Sequence, residues 1–319
     1  MDRETARSRL SGCYVTVPTM FRDDDLELDL PAMRRHVRFL LDGGINESTG
    51  VLLAGGAAGD FSTLSFDERV QATETIVQEA DGRIPVVMGA QTTSTRELVA
   101  LARTAERLGA DYIQVSPPYY FTHTEDDFYE YVVAAAEAAD VGIVIYNTFW
   151  TSSNVSLEMV ERLAELPNMI GLKWSTPDLG SMEFEQVVSR FADRLCIIDN
   201  QHRFAISHIL GARGIEEHVC NYWPQWGVRL WQLLEEHRYI EAQGELVRVA
   251  MPFYVLWQEM ERYTSGDGYL DKLCMELIGL GSSRCRPPTR DVREKFREKA
   301  RRMLVQCGVP GVVVDGELG

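Results

Sequence analysis

The chain has 319 residues, of which 45% are hydrophobic and 25% are charged. These values exclude a disordered polymer, a collagen-like fibre and a small disulfide scaffold. The formal net charge of −16 excludes nucleic acid and anionic membrane surfaces as expected partners, because a strongly acidic surface repels phosphate groups.

The sequence has no pattern typical of export or of a membrane span. Its N-terminus is charged and is followed by no apolar segment, and no stretch approaches 18 uninterrupted apolar residues. The six cysteines are scattered without a CxxC pair, so reduced thiols in a cytoplasmic protein are expected. His218 and Cys220 lie two residues apart, which is only a weak indication of metal ligands, and we predict no metal site.

Eight short runs of β-type residues predict strands at 14–21, 50–56, 85–91, 112–118, 142–148, 169–175, 195–201 and 214–221. Between them, helical periodicity predicts helices at 65–80, 95–108, 126–139, 156–166 and 182–191. Strands that alternate with helices indicate parallel pairing. Eight such units over about 240 residues predict a closed (β/α)8 barrel, the TIM-barrel fold.

The β pattern stops after Pro224. Helical periodicity then predicts helices at 225–237, 240–263, 269–280 and 289–306. We therefore expect residues 1–224 to hold the barrel strands and most of the barrel helices. Residues 225–319 are expected to form the last barrel helix and a C-terminal helical extension.

Lysine is rare in this chain, and one lysine lies in a strand. Only four of the 32 basic residues are lysines, and Lys173 is the only one among the first 271 residues. Strand alternation places Leu172 and Trp174 on the opposite face from Lys173. Because the large apolar pair suits the helix-facing side, Lys173 is predicted to point into the barrel. The same argument points Tyr146 inward from the preceding strand.

An amine and a phenol inside one barrel favour Schiff-base chemistry. A free amine is protonated at neutral pH and is then a poor nucleophile, but burial penalises the charged form. Such an amine can attack a carbonyl, and a neighbouring phenol can move protons. The structural alternative is a lysine that pairs with Asp199 or Glu216 and only stiffens the barrel.

Several motifs resemble those of the dihydrodipicolinate synthase / N-acetylneuraminate lyase family, over about residues 11 to 306. They are Gly12-Cys-Tyr-Val-Thr-Val-Pro-Thr19, Asp67-Glu-Arg69, Pro85-Val-Val-Met-Gly89, Pro118-Tyr-Tyr120, Tyr146-Asn147, Gly171-Leu-Lys173, Asp271-Lys-Leu273 and Arg286-Pro-Pro288. The resemblance implies a class I aldolase or dehydratase that uses no cofactor beyond a covalent lysine imine with its substrate. It implies that Lys173 forms the imine and that Tyr146 transfers protons. It also implies a homodimer or homotetramer, in which Tyr120 reaches into the site of a neighbouring subunit.

The chain departs from the family pattern in two loops. The family's glycine loop, roughly G-[TSG]-T-G-E, reads Gly56-Ala-Ala-Gly-Asp60 here, so Ala57 and Ala58 replace the hydroxyl residues. The backbone N–H groups of Gly56, Ala57 and Ala58 are still expected to bind a substrate carboxylate. The arginine that synthases place four residues after the Tyr-Asn pair is also absent, and Trp150 makes that segment bulkier. We therefore expect neither dihydrodipicolinate synthesis nor neuraminate cleavage.

The last predicted strand carries unusual polar residues. If Ile215 and Val219 face the helices, then Glu216, His218 and Cys220 face the barrel interior. Glu216 and His218 are predicted to contact the substrate or to act as acid and base. The structural alternative is a carboxylate that pairs with an arginine.

The prediction from these features is a Schiff-base lyase acting on a small 2-oxo acid, with pyruvate as donor or product of aldol chemistry. A 2-keto-3-deoxy sugar acid dehydratase that uses the same imine remains an alternative. A second alternative is a non-catalytic barrel that binds an oxo acid, which the Ala57-Ala58 loop favours. A metal-dependent aldolase is a weaker alternative, because the sequence shows no cluster of histidine and carboxylate ligands.

Overall fold

The computed structural model describes residues 2–148, 154–176 and 182–312. Eight parallel strands close into a barrel in chain order, which confirms the predicted (β/α)8 architecture. The strands are β1 Gly12–Val17, β2 Gly50–Ala54, β3 Val86–Gly89, β4 Tyr112–Val115, β5 Gly142–Asn147, β6 Met169–Trp174, β7 Cys196–Asp199 and β8 Gly214–Glu216.

The α-helices of the described residues alternate with these strands and then continue as far as Cys307. They are α1 Arg3–Arg9, α2 Leu30–Asp42, α3 Phe66–Ala80, α4 Thr95–Leu108, α5 Glu125–Ala138, α6 Leu157–Ala164, α7 Glu183–Phe191, α8 Phe204–Leu210, α9 Pro224–Glu235, α10 Tyr239–Glu245, α11 Met251–Met260, α12 Tyr269–Leu277 and α13 Arg293–Cys307. Within the described ranges, no helix is both long and apolar enough to span a bilayer.

The end of β8 corrects one sequence prediction. β8 stops at Glu216, and His218–Asn221 forms a 3-10 turn in place of the predicted strand. The turn begins at Glu217, whose carboxylate accepts the backbone N–H of Val219 at 3.2 Å. The alternation that placed His218 and Cys220 beside Glu216 in the barrel interior is therefore wrong, since it holds only while the strand continues.

The helix predicted at 240–263 is interrupted. α10 and α11 are separated by a π-helical turn over Leu246–Ala250. Pro252 lies in the first turn of α11 and has no backbone N–H to donate to the preceding turn. The π-helical turn just before this proline changes the pattern of backbone hydrogen bonds. The helix can therefore accommodate a residue that has no N–H to donate.

The N-terminal helix α1 was not predicted. Asp2 caps it by accepting the N–H of Thr5 at 3.0 Å. Ala6 and Leu10 belong to the same buried cluster as barrel residues of β3 to β7. The phenol of Tyr112 in β4 donates to the carbonyl of Ala6 at 2.7 Å. A short, charged helix therefore supplies part of the apolar core.

The chain packs as two compact units. The first comprises Met1–Tyr14, Asn46–Leu53 and Asp81–Glu216. Its interior contains Val87, Tyr112 and Val144 in one buried cluster. Because alternate residues of a strand share a face, Gln114 and Tyr146 also project into this interior.

The second unit comprises Val15–Ile45, Ala54–Ala80 and Glu217–Gly319. A buried ion pair joins the loop after β2 to α12, since Lys272 Nζ donates to Asp60 Oδ2 at 2.7 Å. The Lys272 side chain is fully buried and lies 4.6 Å from the ring centre of Phe21. Burial raises the pKa of Asp60, and the ammonium of Lys272 opposes that rise.

We expect Lys272→Met to lower the free energy of unfolding by about 3–5 kcal/mol, because it leaves Asp60 buried without its counter-charge. The matched control is Lys299→Met, which breaks the exposed pair with Glu259 and should cost about 1 kcal/mol or less. Urea unfolding of both variants measures the difference. Adding Asp60→Asn to Lys272→Met should restore much of the loss. Equal losses in the two single variants would contradict the assigned role of the buried pair.

Candidate active site

Lys173 and Tyr146 meet inside the first unit. They are register partners on the neighbouring strands β6 and β5. A Cβ at Gly171 would approach the side chain of Leu10 to 2.5 Å, so that face of β6 is the interior face. The Nζ atom of Lys173 lies 4.7 Å from the centre of the Tyr146 ring, and both side chains are buried. The predicted inward orientation of both residues is confirmed.

Glu216 provides the carboxylate beside the amine. Its Oε1 lies 3.6 Å from Lys173 Nζ, and both side chains are more than nine-tenths buried. An ion pair in such a place has two consequences. It places a carboxylate beside the buried amine, and it provides a base within reach when the amine has to lose a proton.

Tyr14 completes the surroundings of the amine and was missed as a candidate site residue. It is the register partner of Glu216 on β1, and its ring centre lies 5.4 Å from Lys173 Nζ. Its hydroxyl donates to Gln114 Oε1 at 3.0 Å. Burial, reinforced by the neighbouring Glu216 carboxylate, raises the pKa of Tyr14 well above its ordinary value, so this phenol keeps its proton. A polar glutamine in the apolar run of β4 was the signal that could have indicated a buried partner.

Asp199 is not the partner of Lys173. It accepts hydrogen bonds from the Ser207 hydroxyl at 2.6 Å and from the backbone N–H of Gln201 at 2.7 Å. Burial raises its pKa to about 6. The next residue does reach the site, because the amide of Asn200 donates to the Tyr146 hydroxyl at 3.5 Å. Of the two carboxylates considered for the lysine, the structure places Glu216 beside it.

The glycine loop belongs to the second unit. Its carbonyl groups are used internally, since Gly56 O accepts from Gly59 N at 3.1 Å and Ala57 O accepts from Asp60 N at 3.0 Å. The loop is held further by Thr19, whose hydroxyl donates to Gly59 O at 2.7 Å. The role of Gly56, Ala57 and Ala58 in carboxylate binding stays a prediction.

His218 has a packing role in the second unit. Its Nδ1 lies 2.8 Å from Asp271 Oδ2, and its ring packs against Phe253 and Trp257 at centroid distances of 5.7 and 4.8 Å. Asn221 donates to the same Asp271 oxygen at 3.2 Å. These contacts account for the burial of His218 without requiring that it contact a substrate.

Tyr120 lies outside the buried cluster around Lys173. Its side chain is 85% exposed, and its backbone φ of +89° is rare for a residue other than glycine. Tyr119 and Phe121 on either side of it are exposed as well. Trp150, which departs from the family pattern, lies outside the described residues.

The described residues hold no group of three or more His, Cys, Asp or Glu side chains that could bind a metal ion. All six cysteines are described, and each is a buried free thiol. The groups that the structure gathers around Lys173 are its amine, the phenols of Tyr14 and Tyr146 and the carboxylate of Glu216.

The chain is similar to known proteins over nearly its whole length. The family model described as the dihydrodipicolinate synthetase family matches residues 9–307. The 4-hydroxy-tetrahydrodipicolinate synthase of Thermotoga petrophila is 29% identical over 305 residues, which is 93% of this chain and 99% of the relative. The solved dihydrodipicolinate synthase of Thermotoga maritima is 28% identical with a TM-score of 0.81, covering 94% of this chain and 99% of that one.

A solved monomeric variant of dihydrodipicolinate synthase is also 28% identical, with a TM-score of 0.82. The match covers 95% of this chain and 98% of that one. The family model and the curated relative thus match the sequence, and both solved structures match the fold, over nearly the whole chain. The chain belongs to the dihydrodipicolinate synthetase family.

Proposed function

We propose that the protein is a Schiff-base lyase that acts on a 2-oxo acid through Lys173. One observation carries the proposal: the buried Lys173 amine lies 4.7 Å from the Tyr146 ring centre and 3.6 Å from the Glu216 carboxylate. Membership of a family whose relatives are synthases supports it. The missing relay hydroxyls at Ala57 and Ala58 argue against dihydrodipicolinate synthesis as the reaction.

The first step forms the imine. Lys173 must lose its ammonium proton before it attacks, and the Glu216 carboxylate is close enough to accept that proton. The neutral amine then adds to the C2 carbonyl, and loss of water gives the protonated imine. The positive nitrogen of this imine withdraws electrons from the C3 position.

In the aldol direction, the C3–C4 bond breaks and its electron pair moves toward the imine to give an enamine. As that carbon becomes an aldehyde, the proton of the C4 hydroxyl passes to the Tyr146 oxygen while the Tyr146 hydroxyl proton passes on to C3 of the enamine. Protonation of the enamine at C3 and hydrolysis of the imine release pyruvate and return free Lys173. Asn200, which donates to the Tyr146 hydroxyl, holds the phenol in place.

Dehydration is a second candidate because a carboxylate lies so near the amine. A base removes the C3 proton after imine formation, and the C4 hydroxyl then leaves as water with a proton from an acid. Glu216 would serve as that acid once it carries the proton taken from Lys173, and its position 3.6 Å from the amine supports this role. A non-catalytic barrel would bind the oxo acid without turning it over, so product analysis separates all three functions.

We expect pyruvate and borohydride to leave a stable mass increase on Lys173. Lys173→Met, which keeps an unbranched side chain but removes the amine, should abolish both the adduct and turnover. Tyr146→Phe should keep the adduct but lower turnover by about a hundredfold or more, because only proton transfer is lost. Peptide mass mapping locates the label. Labelling at Lys272, or no adduct with any 2-oxo acid tried, would remove the Schiff-base proposal.

We expect Glu216→Gln to retain the Lys173 adduct but to turn over at least about tenfold more slowly, because the change keeps shape and removes the titrating group. The matched control is Glu165→Gln, which changes an exposed carboxylate paired with Arg194 and should leave turnover unaltered. Steady-state rates at saturating substrate measure both variants. Wild-type turnover in Glu216→Gln would make the carboxylate a structural counter-ion only.

We expect the protein to form a homodimer or homotetramer, with the exposed Tyr119, Tyr120 and Phe121 at the contact. Light scattering at micromolar concentration measures the mass, and Phe121→Asp should shift it toward the monomer. A monomeric mass for the unaltered protein would contradict this expectation.

A further inference from the structure

Two glutamine side chains inside the first unit have buried amide atoms without a hydrogen-bond partner among the described residues. Gln91 is 3% exposed, and both its Nε2 and its Oε1 are buried without a partner among the described residues. Gln114 is completely buried, and its Oε1 accepts from Tyr14, but its Nε2 is likewise unpartnered in the described chain. Buried amide groups that make no hydrogen bond destabilise a fold, so their presence calls for an explanation.

Both amides project from neighbouring strands into the same interior. Gln114 is the register partner of Gly89, the last residue of β3. The ladder continues one residue further, because Ala90 N donates to Gln114 O at 2.8 Å. Strand alternation then places Gln91 on the face of Gly89 and Gln114. This is the interior face that also presents Tyr146 and Lys173.

The backbone around Gln91 is held firmly. The carbonyl of Thr92 accepts from the Tyr131 hydroxyl at 2.8 Å, and the Thr92 hydroxyl donates to Glu97 at 2.7 Å. Ser94 caps the following helix α4. The residues after Gln91 are thus held in place by hydrogen bonds. The side-chain amide of Gln91, by contrast, has a donor and an acceptor without a partner in the described chain. A rigid polar group with unused hydrogen-bonding capacity is preorganised for a ligand.

We propose that Gln91 and Gln114 bind hydroxyl groups of the substrate, so that the 2-oxo acid carries a hydroxylated chain beyond C3. The inference rests on the proposed function, because it needs the substrate to be anchored at Lys173. A hydroxyl both donates and accepts, which matches the free amide of Gln91. A carboxylate would use only the N–H groups and would place negative charge against Oε1. An aliphatic chain would leave the Gln91 amide and the Nε2 group of Gln114 without a partner.

The experiment compares two six-carbon ligands, 2-oxohexanoate and 2-keto-3-deoxygluconate, which differ in the hydroxyls on C4 to C6. Pyruvate is the reference that lacks the chain. Borohydride trapping on Lys173 is titrated in a Tyr146→Phe background, where the proposed mechanism still forms the imine but cleaves slowly. The variants are Gln91→Met and Gln114→Met, with Gln78→Met on the outer face of α3 as the control.

We expect Gln91→Met to raise the half-saturating concentration of the sugar acid by at least about tenfold and Gln114→Met to raise it by a smaller factor. Pyruvate and 2-oxohexanoate should stay within about twofold, and normal pyruvate trapping shows that each variant is folded. An unchanged sugar-acid value in Gln91→Met, or equal weakening of both six-carbon ligands, would overturn the inference. No pyruvate adduct in the parent protein would instead remove the proposed function itself.

Discussion

An amine enclosed in a protein needs compensation for the water it has lost, and the arrangement around Lys173 provides it from three strands. Glu216 supplies the opposite charge at 3.6 Å, and the rings of Tyr14 and Tyr146 present their faces to the same nitrogen. Removing one member of a buried ion pair is far more damaging than never having formed the pair. The buried lysine therefore depends on Glu216 and the two tyrosines beside it. These same three residues are close enough to exchange protons with the amine.

The interior of the first unit changes in character along the barrel. Toward the N-terminal ends of the strands it is apolar and is closed by Leu10 from the segment after α1. Toward the C-terminal ends it becomes polar and holds the amine, the carboxylate and the glutamine amides. This division lets one layer stabilise the barrel while the other accommodates polar chemistry, as is usual for this architecture.

Sequence patterns predicted the parts of the structure that depend on regular strands. Alternation along β5 and β6 is enough to aim Tyr146 and Lys173 at one another, because the pairing of consecutive strands follows from the fold. The same rule failed at His218, where the backbone turns after Glu216 and the period of two no longer applies. The sequence gives little local indication of that turn, because its cap is Glu217 and glutamate is not among the residues preferred at helix N-caps.

Two other features were also not predictable from the sequence, and the reason differs from that at His218. The hydrogen bond between Tyr14 and Gln114 joins residues that are 100 positions apart on strands that are not neighbours. Helix α1 is rich in arginine and shows little apolar periodicity, yet Arg9 pairs with Asp111 at 2.7 Å to hold it in place. Partners this distant in the sequence become evident only when the barrel has closed.

The ion pair between Asp60 and Lys272 also bears on how the chain is made. Asp60 leaves the ribosome more than two hundred residues before its partner does, a separation of 212 positions. Until Lys272 has been synthesised, Asp60 in the loop after β2 has no counter-charge, and its carboxylate stays hydrated. The second unit can therefore reach its final packing only after α12 has been synthesised, and its N-terminal segments must avoid aggregation until that helix is available.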